Sequence, residues 1–347
     1  MRQAVIVGPD RFEVVRAPVP RPQSDAEILV RTVVSGICSG DLMPWYLKKK
    51  IGSVLGHEVV GRAVEVGQAV KQHIHPGDLV FMHHHAPCLS TDCPDCKRGA
   101  FVHCAAWRSS RLDPGGMADF IRVPQENVRG DTFPATGLTA EQAVFIEPLA
   151  CSIKAVRRVP GLGRRLSLRA ARGMVVGCGV MGLLTLATAR ALGVKHLTAV
   201  EPDPDRRRLA LEFGAVQSLT PEEARQTSLH AVDFVIIGPG RSEVIREALA
   251  YVRPGGTAVL FTPTPSGVMM ELDLNELYFR EVSLVPSYSC GPEETRQAYE
   301  MLRKKRVRPE SLVTHRFDLD NIQEAYDTAR RGGPVLKVLI TFPDGAS

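Results

Sequence analysis

The sequence predicts an α/β protein of two domains, one a barrel-like β domain and the other a doubly wound parallel sheet. Three observations carry that expectation. The first is length: 347 residues exceed the usual size of one core, which points to about two domains. The second is a change of period. Up to about Val128 the chain shows short β-rich segments broken by glycine and proline, whereas from about Gly173 buried strands alternate with amphipathic helices. The third is Val175-Val176-Gly177-Cys178-Gly179-Val180-Met181-Gly182, a strand running into a glycine-rich turn and an apolar helix, the arrangement that seats a dinucleotide pyrophosphate.

The elements follow in order. Met1 to Val7 has too short an apolar stretch for a secretory signal and reads as a first strand. Glu27 to Val34, Val59 to Val66, Asp78 to Met82 and Ala118 to Val123 complete the β-rich part. Strand and helix then alternate: Met174 to Val176, helix Val180 to Ala191, strand Leu197 to Val200, helix Asp205 to Phe213. Further strands are expected at Asp233 to Ile237, Thr257 to Phe261 and Val282 to Val285, with a helix at Glu243 to Tyr251, giving roughly six strands in the sheet. The last stretch breaks the alternation with helices at Glu293 to Lys304 and Asn321 to Arg331. Its final strand, Val335 to Phe342, is expected to return to the first domain.

Composition removes several classes of function. Hydrophobic residues make up 44% and charged residues 23%, ordinary for a soluble globular protein. No apolar run approaches the roughly 20 residues that span a bilayer, so no membrane role is expected and the protein is placed in the cytoplasm. The net charge of +5 is spread along the chain and aromatics are only 6%, which reads as solvated surface, not a nucleic-acid face. Eight cysteines cluster locally in a chain without an export signal, which favours metal binding over disulfides.

Two sets of residues bear chemistry. Cys38, His57, Glu58 and Glu147 offer one thiolate, one imidazole and two carboxylates to a single divalent metal, a donor set that suits a catalytic zinc with a position left open. Gly177, Gly179 and Gly182, with Val180 and Met181 opening the helix, form the second. Its N-terminal amides would hold the pyrophosphate. Nineteen residues after Gly182, Glu201 ends the next strand, where a carboxylate accepts from ribose hydroxyls and repels a 2′-phosphate, so NAD is favoured over NADP; Arg206, close enough to face such a phosphate, is the counterargument. A Lewis acid beside a nicotinamide implies alcohol–carbonyl redox chemistry, with the metal easing loss of the hydroxyl proton while hydride leaves carbon.

Gly36-Ile37-Cys38 followed by Asp41, then Gly56-His57-Glu58-Val59-Val60-Gly61 with Gly67 and Val70, then Glu147-Pro148-Leu149, resemble in order and spacing the zinc-containing alcohol dehydrogenases of the medium-chain dehydrogenase/reductase superfamily. The likeness runs from about Met1 to Phe342, and Glu147-Pro148-Leu149-Ala150 is most similar to the branch of polyol and threonine dehydrogenases. The resemblance implies a GroES-like β-barrel catalytic domain over 1–150, completed by 291–347, a Rossmann NAD-binding domain over 151–290, and substrate in the cleft between them. It also implies Cys38 and His57 as fixed zinc ligands and Glu58 and Glu147 as carboxylates binding directly or through water. The other branch places a cysteine ligand at Cys151, which here reads as a small buried hydrophobe.

Two departures concern the proton. Many members carry Ser or Thr two residues after the catalytic cysteine and His three residues later, where this chain has Gly40 and Met43. Water held by Glu58 or Glu147, Ser39, or His84 is left to carry the proton; His84 falls where relatives line the substrate cleft. The plainer reading of His83-His84-His85 is an alternating, partly exposed strand. Lysines 48 to 50, after Trp45 and Tyr46, read as a solvated loop. Cys88-x4-Cys93-x2-Cys96-x7-Cys104 supplies four thiolates for a closed structural zinc, and its first interval is two residues longer than the family's usual one, so the loop must bulge there; His103 reads as surface.

The expected activity is zinc-dependent hydride transfer between a secondary alcohol, of polyol, sugar-alcohol or hydroxy amino acid type, and NAD. The alternatives are an NADP-dependent aldehyde or ketone reductase and a catalytically silent nucleotide-binding member. Partners are a small alcohol or carbonyl substrate and, from the resemblance, a homodimer or homotetramer.

Overall fold

The computed structural model describes residues 1–227 and 229–343 and divides the chain into two compact units, Met1–Glu147 with the chain from Cys290 onward, and Pro148–Ser289. In the first unit β1 (Arg2–Gly8) pairs antiparallel with β2 (Arg11–Arg16). Next come β3 (Ile28–Gly36), β4 (Glu58–Val66), β5 (Leu79–Met82), β6 (Phe120–Val123) and β7 (Thr132–Pro134). β3 pairs antiparallel with both β4 and β6, and β5 carries the sheet on to β7. Ile28, Val30, Val59, Ala63, Val80 and Ile121 form a buried core beneath these strands. That burial of branched side chains is what fixes the register, since a one-residue slip would turn the apolar set outward.

The boundary at Glu147 falls inside helix α1 (Ile146–Arg157). The second unit then runs through β8 (Arg172–Val176), α2 (Val180–Leu192), β9 (His196–Val200), α3 (Pro204–Glu212), β10 (Gln217–Leu219), β11 (Val232–Ile237), α4 (Ser242–Tyr251), β12 (Val252–Leu260) and β13 (Ser283–Pro286). The strand order is β10-β9-β8-β11-β12-β13 and every pairing is parallel, the doubly wound order in which the chain starts at the centre and fills each side in turn. All six residues of β11 are buried, as expected of a parallel strand covered on both faces.

On its return the chain forms α5 (Pro292–Arg303), β14 (Val313–Asp318), α6 (Ile322–Arg331) and β15 (Lys337–Thr341). β15 lies antiparallel to β3 and parallel to β14, so the last strand does rejoin the first unit's sheet. Tyr326 of α6 stacks on Phe12 at 3.9 Å between centroids and seals the core around Ala4, Ile6 and Ile340.

Four strands escaped the sequence. β7 and β10 have only three residues each, and the alternation of β2 and β14 mixes charged residues with few apolar ones. One expectation is corrected. β5 ends at Met82, so His83, His84 and His85 turn through a bend instead of alternating along a strand, and His83 is buried at 1% exposure. The main-chain N–H of His83 is held by the Asp131 carbonyl at 3.0 Å, and its carbonyl accepts from the Asn127 amide at 2.9 Å.

The Asp131 side chain is itself buried beside α5, and desolvation pushes its carboxyl up to about 7 against the Thr295 hydroxyl that donates to it and the charge of Arg296. Because the folded value lies above the unfolded one, the folded state holds the extra proton, and stability falls as pH rises from about 4 to about 7, by about 3 kcal/mol for this group. Asp131→Asn keeps the acceptor for Thr295 and removes the titration. Denaturant melts are expected to show that slope for the wild type over this pH window and to lose it in the variant, which is the more stable of the two at pH 8.

Candidate metal centres and cofactor loop

The antiparallel pairing of β3 and β4 sets Gly36 opposite Glu58, so the residues just past one strand and just before the other emerge at the same end of the sheet. Those residues are Cys38 and His57. Cys38 caps a 3-10 turn over Ser39–Leu42, and its sulfur accepts from the Gly40 N–H at 3.4 Å. The Cys38 sulfur, a His57 ring nitrogen and a Glu58 carboxylate oxygen lie within 4.8 Å of one another. His57 Nδ1 faces the Asp41 carboxylate at 3.4 Å, and Asp41 is 1% exposed. A buried carboxylate behind an imidazole fixes the ring and is the usual second partner of a metal-binding histidine.

Charge at this spot is poised for a cation. Burial pushes the Cys38 thiol up, aided by Glu58 and Asp41 and opposed by His57. Burial also opposes charge on His57, yet Asp41 and Cys38 outweigh it and hold the imidazole well above its ordinary value. Neither Asp41 oxygen has a full hydrogen-bond partner. A half-buried thiol and imidazole beside two buried carboxylates crowd negative charge that a divalent ion would neutralise, and one sulfur, one nitrogen and one oxygen donor suit zinc.

Lys337, absent from the expected site, sits beneath Glu58. Its Nζ donates to the Glu58 carboxylate and, at 3.2 Å, to the Ile37 carbonyl, with both side chains of the ion pair at most 2% exposed. A side chain at Gly36 would run into the Glu58 carboxylate and the end of Lys337, so this strand position must stay bare. The signal was legible in principle: a lysine inside the otherwise apolar run Val335-Leu336-Lys337-Val338-Leu339-Ile340.

Glu147 is not gathered with Cys38, His57 and Glu58. It lies in the first turn of α1, buried, with its carboxylate within 4.8 Å of a His83 ring nitrogen and the Cys290 sulfur. The donors within 4.8 Å of one another at this centre are thus three, and the helix that carries Glu147 starts against the segment of Cys290. Cys151, one turn further along α1, is half-buried and belongs to no such group among the described residues. Ser39 is exposed on the 3-10 turn. His84 is half-buried with its ring 5.0 Å from that of His57 and 4.6 Å from that of His83. Desolvation, followed by the neighbouring histidines and Lys50, holds His84 well below its ordinary value. Lys49 and Lys50 place their ammonium groups over Trp45 and Tyr46 at 5.8 and 5.2 Å from the ring centroids, so the expected loop is a 3-10 turn braced by cation–π contacts.

The tetracysteine lobe gathers Cys88, Cys93, Cys96 and Cys104 within 4.8 Å. Sulfur–sulfur separations of 3.7 Å for Cys88–Cys96 and 3.9 Å for Cys93–Cys104 are far beyond a disulfide. They match the edges, about 3.8 Å, of a tetrahedron with metal–sulfur bonds of about 2.3 Å. Against burial, backbone N–H groups of Cys88, Trp107 and Ala106 pull the Cys104 thiol down to about 6, while burial and the neighbouring thiols push Cys96 up to about 12. The longer first interval is taken up at Leu89, exposed with φ 53°, and His103 is exposed.

In the second unit Gly177 adopts φ 86° at the end of β8, and a Cβ at Gly182 would strike the Gly177 carbonyl, so loop and helix meet only because both are bare. Gly179 caps α2 with open space where its Cβ would stand, and Val180 and Met181 open the helix. Glu201 is buried just past β9, where its carboxylate accepts from the Cys178 N–H at 2.6 Å and the Asp203 N–H at 3.0 Å. The acid therefore shapes the glycine-rich turn, a role the sequence did not suggest. Burial and Glu201 push the Cys178 thiol up to about 12, and the charge of Arg206, in the first turn of α3, acts on it in the opposite sense.

Comparison with known proteins agrees with these centres. Residues 24–130 match the alcohol dehydrogenase GroES-like domain and residues 140–342 match the glucose dehydrogenase C-terminus. Galactitol 1-phosphate 5-dehydrogenase of Escherichia coli (strain K12) is 27% identical, with 94% of this chain and 96% of that protein covered. L-threonine 3-dehydrogenase of Pyrococcus abyssi is 27% identical, with 92% of each covered. A proposed zinc-binding dehydrogenase of Sinorhizobium meliloti 1021, solved bound to NADP, superposes with a TM-score of 0.85 at 25% identity over 98% of this chain and 99% of that one. With both halves matched and its donor groups formed, the chain belongs to the zinc-containing alcohol dehydrogenase family of the medium-chain dehydrogenases, in the branch of the polyol and threonine dehydrogenases.

Proposed function

We propose that this NAD(P)-dependent dehydrogenase acts on the CH–OH group of a polyol, a sugar alcohol or its phosphate, with NAD as the preferred acceptor. The observation that carries the reading is the meeting of Cys38, His57 and Glu58 donors within 4.8 Å at the end of one antiparallel strand pair. Zinc held there would supply Lewis acidity that eases loss of a hydroxyl proton. Asp41 fixes the His57 ring, and Lys337 holds the Glu58 carboxylate in place. His84, kept neutral by its surroundings, is the acceptor for the proton that Gly40 and Met43 do not relay. Ser39, exposed, and Glu147, grouped elsewhere, are secondary candidates. Gly177, Gly179, Val180, Met181 and Gly182 would present the helix terminus to a pyrophosphate, and Glu201 would keep lone pairs for the hydroxyls of a ribose.

Polar side chains at His84 and His85, and the charge of Lys50 acting on both, favour a hydroxylated or anionic substrate over a greasy alcohol. Arg206, whose charge is felt at Cys178 of the glycine-rich turn, favours a second reading, reduction of an aldehyde or ketone with NADP. Among the described residues no helix is long and apolar enough to cross a membrane. A homodimer or homotetramer in the cytoplasm, acting on a small molecule, fits the family; the exposed Tyr278 and Phe279 of the second unit, at 76% and 75%, suit burial against another copy.

Zinc-loaded protein assayed with NAD and NADP against polyols, a sugar-alcohol phosphate, threonine and simple alcohols tests this. Turnover is expected with NAD and a polyol-type substrate, at least about tenfold above NADP, since a buried carboxylate facing a 2′-phosphate costs more than about 1.4 kcal/mol. Turnover confined to NADP supports the reductase. NAD binding without turnover on any substrate leaves a silent nucleotide-binding member.

A further inference from the structure

We propose that Lys50, Arg111 and His85 form a subsite beside the Cys38 centre for the phosphate of a sugar-alcohol phosphate. The inference rests on the dehydrogenase reading and narrows its substrate to a phosphate ester. His57, His84 and His85 make successive ring contacts, at 5.0 Å and 4.3 Å between centroids. His85 therefore stands one ring beyond His84 from the metal ligand, a separation that the carbon chain of a polyol can span. Buried Trp107 packs against the His85 ring at 4.4 Å between centroids and supports it.

Two loops carry the cations to this ring. Ser110 is pinned to the histidine segment, since its hydroxyl accepts from the Ala86 N–H at 2.8 Å and its carbonyl meets His85 Nδ1. Arg111 follows directly and is exposed. Lys50, half-buried, closes the 3-10 turn after Leu47, with its ammonium 5.2 Å from the centroid of the Tyr46 ring. Beyond each cation the two loops join, because the Leu55 and Gly56 carbonyls accept from the Met117 and Gly116 N–H groups at 2.9 and 2.8 Å. Burial first, and then Lys50, His57 and Arg111, hold His85 below its ordinary value against the bond to Ser110, so both cations are felt at one imidazole.

The charge at this spot lacks its counterpart. Among the described residues Lys50 and Arg111 enter no ion pair, and the groups that act most on His84 and His85 include no carboxylate. Unpaired cations gathered beside a reaction centre raise the local concentration of an anion. A phosphate ester fits them in charge and in shape, since it carries about −1.5 to −2 at pH 7 and presents three terminal oxygens. The Arg111 fork and the Lys50 ammonium suit two of these oxygens. His85 Nδ1 is taken by Ser110, which leaves Nε2 for the third oxygen or its proton. A carboxylate, with two oxygens and one charge, would leave part of the set unused. The ring of Tyr46 braces Lys50 beforehand, so less freedom is lost on binding than for a fully solvated lysine.

Zinc-loaded full-length protein is assayed on tetritols, pentitols and hexitols in parallel with their terminal phosphates, alongside Lys50→Met and Arg111→Met. The readout is the ratio of kcat/KM for each phosphate ester to that for its parent polyol. For the best pair a ratio of about tenfold or more is expected in the wild type, falling by about tenfold in each variant, since one charge-assisted bond is worth about that factor. A wild-type ratio near unity, or a higher one that neither variant lowers, overturns the subsite. Absence of turnover on every substrate overturns the dehydrogenase reading instead, and the subsite is then read from calorimetric binding of the same esters. Binding that is tighter for the ester than for the polyol and weakened in both variants supports the subsite; no binding, or binding that neither variant weakens, overturns it.

Discussion

Replacing His57 with Asn is expected to lower kcat/KM on the best polyol substrate by roughly 10³-fold or more, because a Lewis acid is worth several kcal/mol and each 1.36 kcal/mol is a factor of ten. Asn keeps much of the shape of the ring but offers a poor ligand and leaves the buried Asp41 without its imidazole. Cys38→Ser is expected to behave alike, since a buried hydroxyl does not ionise to replace a thiolate. In both variants the zinc of the tetracysteine lobe should remain, because those four sulfurs form a group of their own. Nicotinamide absorbance followed with substrate in excess checks the loss, and zinc content measured on the same samples separates a vacated centre from an unfolded protein.

Lys337→Met is expected to cost about 3–5 kcal/mol of stability, the penalty for leaving a buried charge unpaired. Methionine fills the space of the lysine stem but strands the Glu58 carboxylate at 1% exposure, and the Ile37 carbonyl also loses its donor. Adding Glu58→Gln should restore most of the loss, since a neutral amide needs no counter-ion. Denaturant midpoints of the two single variants and the double variant measure the coupling. A loss below about 1 kcal/mol for Lys337→Met, the size of an exposed pair, would mean that Glu58 finds its counter-charge elsewhere.

Much of this site was legible because it follows from local pattern. Cys38 and His57 flank strands whose apolar periodicity was clear, and the antiparallel register of β3 and β4 then brings them to one end. The glycine-rich turn was legible for the same reason, with β8 and α2 marked by their own periodicity. What the sequence hid depends on long-range contact. Lys337 is separated from Glu58 by 279 residues, and Cys290 from His83 by 207, so no spacing rule could pair them. The contact of Glu147 with Cys290 had the same origin, since it joins residues 143 positions apart. The histidine run misled differently, since three like residues after an apolar strand suggest its continuation, while the bond from His83 to Asp131 turns the chain at Met82.

The most direct measurement of the central claim is a zinc titration of metal-free protein, with NAD reduction by a polyol followed at each step. Activity is predicted to rise in proportion to zinc bound by Cys38, His57 and Glu58, and never to appear in His57→Asn at any zinc concentration. Turnover at the wild-type rate with that centre vacant, or in His57→Asn, would contradict the account.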